Sequence, residues 1–250
     1  MFAELSSPQS LIKHLAASIG LRVTRRGLAN RFQAIDECLN RMKESGYDPR
    51  VVIDGGANVG QFYSLSKRVF SRAHYHLIEP QPACAERLLR LVAKRPAVTE
   101  FHKVGITEPG VASLRMTGGG TTGAFAAKDH EPADFEVAAT TLDSIFAERI
   151  HADDRLLLKL DLESHELKAL RGARSLLEVT EVVLVEVAFF DFENWGRPLF
   201  TEVLNVMSGA GFELYDFATL AGRPRDQRLR LGDVFFVRRG TLLCADNSWA

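Results

Sequence analysis

From residue 50 onward the chain alternates short runs of apolar and β-branched residues with amphipathic stretches. Apolar runs bounded by polar turns read as strands buried on both faces, and the stretches between them as helices laid over those faces. The runs are Val51–Asp54, His74–Glu79, Val98–Val104, Leu156–Asp161, Val182–Val187, Phe212–Phe217 and Asp233–Val237. Together they predict an α/β fold, a Rossmann-like sheet of about seven strands with helices on both faces. Between the third and fourth runs, Ala112–Met116 and Phe135–Thr140 read as additional short strands. They bracket a glycine-rich stretch, Thr117 to Phe125, expected to form a mobile loop near the substrate.

Upstream of residue 50 the spacing becomes helical. Leu11, Ile12, Leu15, Ile19 and Leu21 suit one face of a helix started by Ser7-Pro8. A second helix is expected over Leu28 to Ser45, with Phe32, Ile35, Leu39 and Met42 on one stripe and Gly46 as its stop. This predicts a helical cap over residues 1–48 on a sheet domain over 49–250, the two forming one compact unit. Lys13 and His14 interrupt the first apolar stretch, so neither a membrane span nor a signal peptide is expected.

Composition narrows the possible partners. The 250 residues are 46% hydrophobic and 25% charged, enough apolar material for a full core and unlike a disordered or coiled-coil chain. A formal net charge of -1 supplies no overall basic footprint, so a nucleic-acid partner is not expected. Cys38, Cys84 and Cys244 are odd in number, far apart and without CxxC spacing, which argues against a disulfide framework or a cysteine zinc site and points to a reducing cytoplasm. His74, His76, His102, His130 and His151 show no metal-ligand spacing along the chain.

The chemistry begins at VVIDGGANVGQF, residues 51–62, where an apolar strand ends in Asp54 and enters Gly55, Gly56, Asn58 and Gly60 before an apolar helix. Glycines there allow positive φ and close approach of backbone to a ligand, and the strand–turn–helix arrangement puts a nucleotide at the carboxyl edge of the sheet. Glu79 ends the second strand, where a carboxylate can accept both ribose hydroxyl hydrogens. The same spacing suits a nicotinamide-dependent oxidoreductase, the first alternative. The loop reads GGANVG rather than GxGxxG, which suits a cofactor without a pyrophosphate.

The chain resembles the FkbM-type methyltransferases. The resemblance covers roughly Val51 to Val187 and is carried in order by VVIDGGANVGQF, HLIEPQP at 76–82, TTLDSIF at 140–146, LLLKLDLESHELKALRGARSLL at 156–177 and VVLVEVAF at 182–189. It implies a class I methyltransferase fold, S-adenosyl-L-methionine as cofactor, and O-methylation of a sugar, glycolipid or polyketide-type hydroxyl. It further implies that Asp54, Gly55, Gly56, Asn58, Gly60 and Glu79 hold the cofactor, with adenine near Pro80, Gln81, Val104 and Gly105. The family commonly has glycine where this chain has Ser164, which suggests a second alternative: a non-catalytic binding module with the same fold.

Transfer of a methyl group to an alcohol requires alignment and removal of a proton. Asp161, Glu163 and His165 follow the fourth strand and Glu186 ends the fifth, so these four are the candidate catalytic groups. His165 is the candidate base, Asp161 is also expected to touch the cofactor's amino-acid end, and Glu163 could instead cap the following helix. Asp161, Glu163 and Glu186 could hold a divalent cation, but none is expected. The aromatic stretch with Phe189, Phe190, Phe192 and Trp195 is expected to wall the acceptor pocket. A small-molecule acceptor is the expected partner, and a homo-oligomer is compatible with the sequence.

Overall fold

The computed structural model describes residues 31–118, 124–127, 131–191, 196–246 and 248. The expected first helix and the tip of the glycine-rich stretch lie outside these residues, as do His130, Phe192 and Trp195. Among the described residues, no helix is long and apolar enough to cross a membrane.

Seven strands form one sheet: β1 (Val51–Gly55), β2 (His74–Ile78), β3 (Thr99–His102), β8 (Leu156–Leu160), β9 (Thr180–Ala188), β10 (Phe212–Gly222) and β11 (Leu229–Arg238), in the order β10-β11-β9-β8-β1-β2-β3. The chain thus starts at the centre, works outward through β2 and β3, and returns beside β1 with β8. This creates a topological switch point between β1 and β8, the place where such sheets bind ligands. β1, β2, β3, β8 and β9 run parallel, and β11 pairs antiparallel with both β9 and β10. The expected seven-stranded α/β architecture is therefore present. Its third strand stops at His102; Gly105–Ile106 (β4) leaves for a second sheet with β5 (Ser113–Thr117), β6 (Phe125–Ala126) and β7 (Phe135–Thr140).

Side-chain alternation builds two cores. Val51, Ile53, Leu156, Leu158, Leu160, Val183, Val185 and Val187 face one side, covered by α4 (Leu142–Phe146), α5 (Glu166–Arg171), α6 (Arg174–Val179) and α7 (Phe200–Gly209). Val52, Leu157, Val182, Leu184, Phe235 and Val237 face the other, covered by α1 (Arg31–Glu44), α2 (Gln61–Val69) and α3 (Pro82–Lys94). Every position of the central strands β1 and β8 is buried, which is why their sequence lacks the polar alternation of a half-exposed strand. Ile35, Leu39 and Met42 of the expected stripe seat α1 in the second core, with Phe32 packed against it and Cys38 joining them.

Candidate active site

The carboxyl ends of β1, β2 and β8, the start of α1 and the inner faces of β5 and β6 enclose a cavity of about 280 Å³. The turn from β1 to α2 forms part of its wall. Gly56, Asn58 and Gly60 have φ of 72°, 49° and 84°. A Cβ on Gly56 would lie 1.8 Å from the Asp161 carbonyl oxygen, so glycine is required where the turn crosses the end of β8. The Gly56 and Ala57 amides both donate to the Ile78 carbonyl at 3.0 Å, and Gly60 donates to Ala57 at 2.8 Å.

Glu79 extends β2 into the cavity. Its two carboxylate oxygens each accept one backbone amide, Asn58 at 2.8 Å and Gln81 at 3.0 Å. An ionised carboxylate has about four acceptor sites, so this grip fixes its orientation and leaves acceptor capacity for a ligand. Burial pushes its pKa up, opposed by those two amides. Gln81, Pro80, Val104 and Gly105 line the same cavity, beside the apolar Ile78, Ile106, Leu114 and Met116.

Asp54 lies elsewhere than expected. Its side chain is wholly buried beneath the turn, 2.9 Å from Lys159 Nζ, and does not line the cavity. Lys159 also donates to the Gly55 and Gly56 carbonyls at 3.2 and 2.8 Å, pinning the turn to β8. Gly55 and Gly60 likewise shape the turn without lining the cavity. Lys159 was not singled out in the sequence, although a lone charge inside LLLKL is a signal: a buried charge requires a partner.

β8 runs on into Asp161, Leu162, Glu163, Ser164 and His165. Asp161, Glu163 and His165 line the cavity, as expected. Glu163 and Ser164 both adopt positive φ, 50° and 85°. Glu166, not Glu163, ties down this turn: it is buried and accepts the Leu162 and Ser164 amides at 2.7 and 3.4 Å, while burial pushes its carboxyl up to about 7. Glu163 points instead toward Arg197, 3.5 Å away. His165 Nε2 lies 3.0 Å from Thr107 Oγ1, and burial, helped by Lys168, lowers its pKa to about 4. Its imidazole is therefore neutral at physiological pH.

Glu186 does not line the cavity. Arg31 stands between it and Asp161, with one guanidinium nitrogen 2.9 Å from Asp161, 3.2 Å from Glu186 and 2.5 Å from Asp233. Asp161, Glu163 and Glu186 therefore do not converge as a cation site: two of them share an arginine and the third faces another. Neither Phe189 nor Phe190 walls the cavity. Phe189 packs on Phe200 and Phe217, at centroid distances of 5.6 and 6.3 Å, and Phe190 lies under Arg223 and Arg228.

The family model of the methyltransferase FkbM domain matches residues 54–214. No curated protein sequence matches the chain. Among solved structures, an FkbM methyltransferase from Methylobacillus flagellatus KT is 17% identical with a TM-score of 0.48, covering 75% of this chain and 44% of its own. The chain thus spans less than half the length of that protein. Magnesium protoporphyrin IX methyltransferase from Synechocystis PCC 6803 with bound SAH is 10% identical with a TM-score of 0.48, covering 92% of this chain and 99% of its own. The fibrillarin of Aeropyrum pernix with S-adenosyl-L-methionine is 12% identical with a TM-score of 0.45, covering 82% of this chain and 76% of its own. With a family model matched across more than half its length, the chain belongs to the FkbM methyltransferase domain family.

Proposed function

We propose that the chain is an S-adenosyl-L-methionine-dependent methyltransferase that methylates a hydroxyl oxygen of a small molecule such as a sugar, glycolipid or polyketide-type acceptor. The observation that carries the reading is the Glu79 carboxylate, held by the Asn58 and Gln81 amides at the mouth of an apolar slot. Such a carboxylate suits a ribose diol, and the slot of Ile78, Val104, Ile106, Leu114 and Met116 suits an adenine. Asp161 supplies an anionic group beside the glycine turn for the ammonium end of the amino acid. When bound, the cofactor supplies an electrophilic methyl group on a sulfonium.

The turn argues against a nicotinamide dinucleotide. The Gly56, Ala57, Asn58 and Gly60 amides of the turn all donate within the protein and so are not offered to a pyrophosphate. Tyr63 and Lys67 have the Tyr-x-x-x-Lys spacing of some nicotinamide enzymes, but Tyr63 is buried away from the cavity, 3.4 Å from Thr99, and Lys67 lies over its ring.

The remaining step is proton removal from the acceptor. His165 lines the cavity as a neutral imidazole oriented by Thr107, so it is the base in this reading, with Asp161 as neighbour. Calorimetric titration with S-adenosylhomocysteine tests the cofactor assignment. Glu79→Ala removes charged hydrogen bonds worth roughly 1.5–3 kcal/mol and is expected to weaken binding at least about tenfold. Unchanged affinity in that variant, or tight NAD binding by the native chain, overturns the reading.

A further inference from the structure

A second group of chemically capable side chains lies away from the cavity, on the far side of Phe146. β2 and β3 pair in parallel with His76 opposite Glu100. Because side chains alternate along a strand, His102 shares a face with Glu100, and both stand beside His76. Spacing along the chain hides this trio, since His76 and His102 are brought together only by strand pairing.

We infer that His76, Glu100 and His102 form a three-ligand site for a divalent transition metal of the zinc type, with one coordination position left open. His76 Nδ1 and His102 Nε2 are 3.2 Å apart, and Glu100 Oε2 is 3.8 and 3.9 Å from them. A point equidistant from these three atoms lies about 2.1 Å from each, within the ~2.0–2.2 Å of zinc–nitrogen and zinc–oxygen bonds. Two imidazoles and one carboxylate are also a donor set that such metals take up with an open position.

The surroundings support the assignment. Phe146 packs edge-on against both rings, at centroid distances of 5.0 and 5.5 Å, and fixes their planes. Arg149 donates to both Glu100 oxygens at 2.9 and 3.0 Å, orienting the carboxylate as a second-layer partner does for a metal ligand. A neutral imidazole carries its hydrogen on one nitrogen only, so each ring can present the other to a metal. A cavity of about 480 Å³ adjoins His76 and Glu100, its walls carrying Arg50, Arg72, Arg149 and Asp154, which gives the open position room for water or a small ligand.

Equilibrium dialysis of the untagged full chain against zinc, with cobalt(II) as the spectroscopic probe, tests the site. One zinc per chain is expected, with a rise in melting temperature as zinc saturates it. Glu100→Gln, at an exposed residue whose loss does not threaten the core, and His102→Gln should each weaken zinc by more than the roughly 10–100-fold that an outer-layer substitution costs. Both should abolish the thermal shift. Three results overturn the inference: no zinc retained by the native chain, equal retention by the two variants, or cobalt bands of thiolate ligation, which would place the metal on a cysteine.

Discussion

At the scale of single residues, the turn after β8 holds two adjacent non-glycine residues, Glu163 and Ser164, at positive φ. Ser164 has φ of 85°, a region that costs a residue with a Cβ roughly 1–2 kcal/mol and glycine almost nothing. Ser164→Gly is therefore expected to raise unfolding free energy by about 1 kcal/mol in urea titration; a loss of stability would show that the seryl hydroxyl holds the turn. The neighbouring His165 is the base of the proposed reaction. His165→Ala should slow single-turnover methyl transfer by about 10²–10⁴ with little change in S-adenosylhomocysteine affinity. A base works deprotonated, and burial has already moved this histidine to about 4. The rate should thus stay level from pH 8 to 5 and fall only as pH drops through about 4. A midpoint near that of a free histidine, ~6.5, or a variant with native rates would pass the role to Asp161 or Glu163.

At the scale of elements, the β1–α2 turn is held by a charge pair under it. Lys159 bonds two turn carbonyls and pairs with Asp54, and among the described residues no other base lies against Asp54. Lys159→Leu leaves the Asp54 carboxylate buried without a cation and should cost about 3–5 kcal/mol. Adding Asp54→Asn should restore much of this in denaturant titrations, because the uncompensated charge is then gone; an additive double variant would deny the coupling. Asp54 was legible as important in the sequence, but its task was not. Periodicity shows that a strand is buried, yet not which residue of a neighbouring strand lies beside it, and Asp54 and Lys159 are adjacent only through the β1–β8 register. The same limit hid Thr107 behind His165 and the pairing of His76 with His102. The place of Glu79 in the cavity wall was legible because it follows from position alone, at the end of the second strand beside the glycine turn. The strands themselves were legible because runs buried on both faces tolerate few polar residues, whereas the switch of β4 to the second sheet depends on tertiary pairing with β7.

At the scale of the whole molecule, Arg31 joins parts of the chain that nothing local connects. It lies on α1, yet its guanidinium sits among Asp161 just after β8, Glu186 of β9 and Asp233 of β11, more than 120 residues downstream in each case. Burial works against its charge, and Asp161, Asp233 and Glu186 overcome that penalty and hold its pKa above the ordinary arginine value. Glu186 shows the other side of the balance: burial and then Asp161 push its pKa well up, with Arg31 opposing them. Arg31→Met removes the cation while retaining apolar bulk, so the three carboxylates lose their common partner. With a third of the Arg31 side chain in solvent, screening reduces the cost, and about 2 kcal/mol of stability should be lost near pH 8. The sign with pH follows from the raised Glu186 carboxyl. A carboxyl whose folded pKa exceeds its unfolded one is neutral in the fold at low pH, and its contribution disappears as pH rises through the folded value. The deficit of Arg31→Met should therefore be smaller near pH 5 than near pH 8, because the raised Glu186 carboxyl takes up its proton as pH falls. Urea titrations of both chains at the two pH values measure it directly. A deficit equal at both, or larger at the lower pH, would mean that Arg31 stabilises by packing and that the carboxylate edge does not depend on its charge.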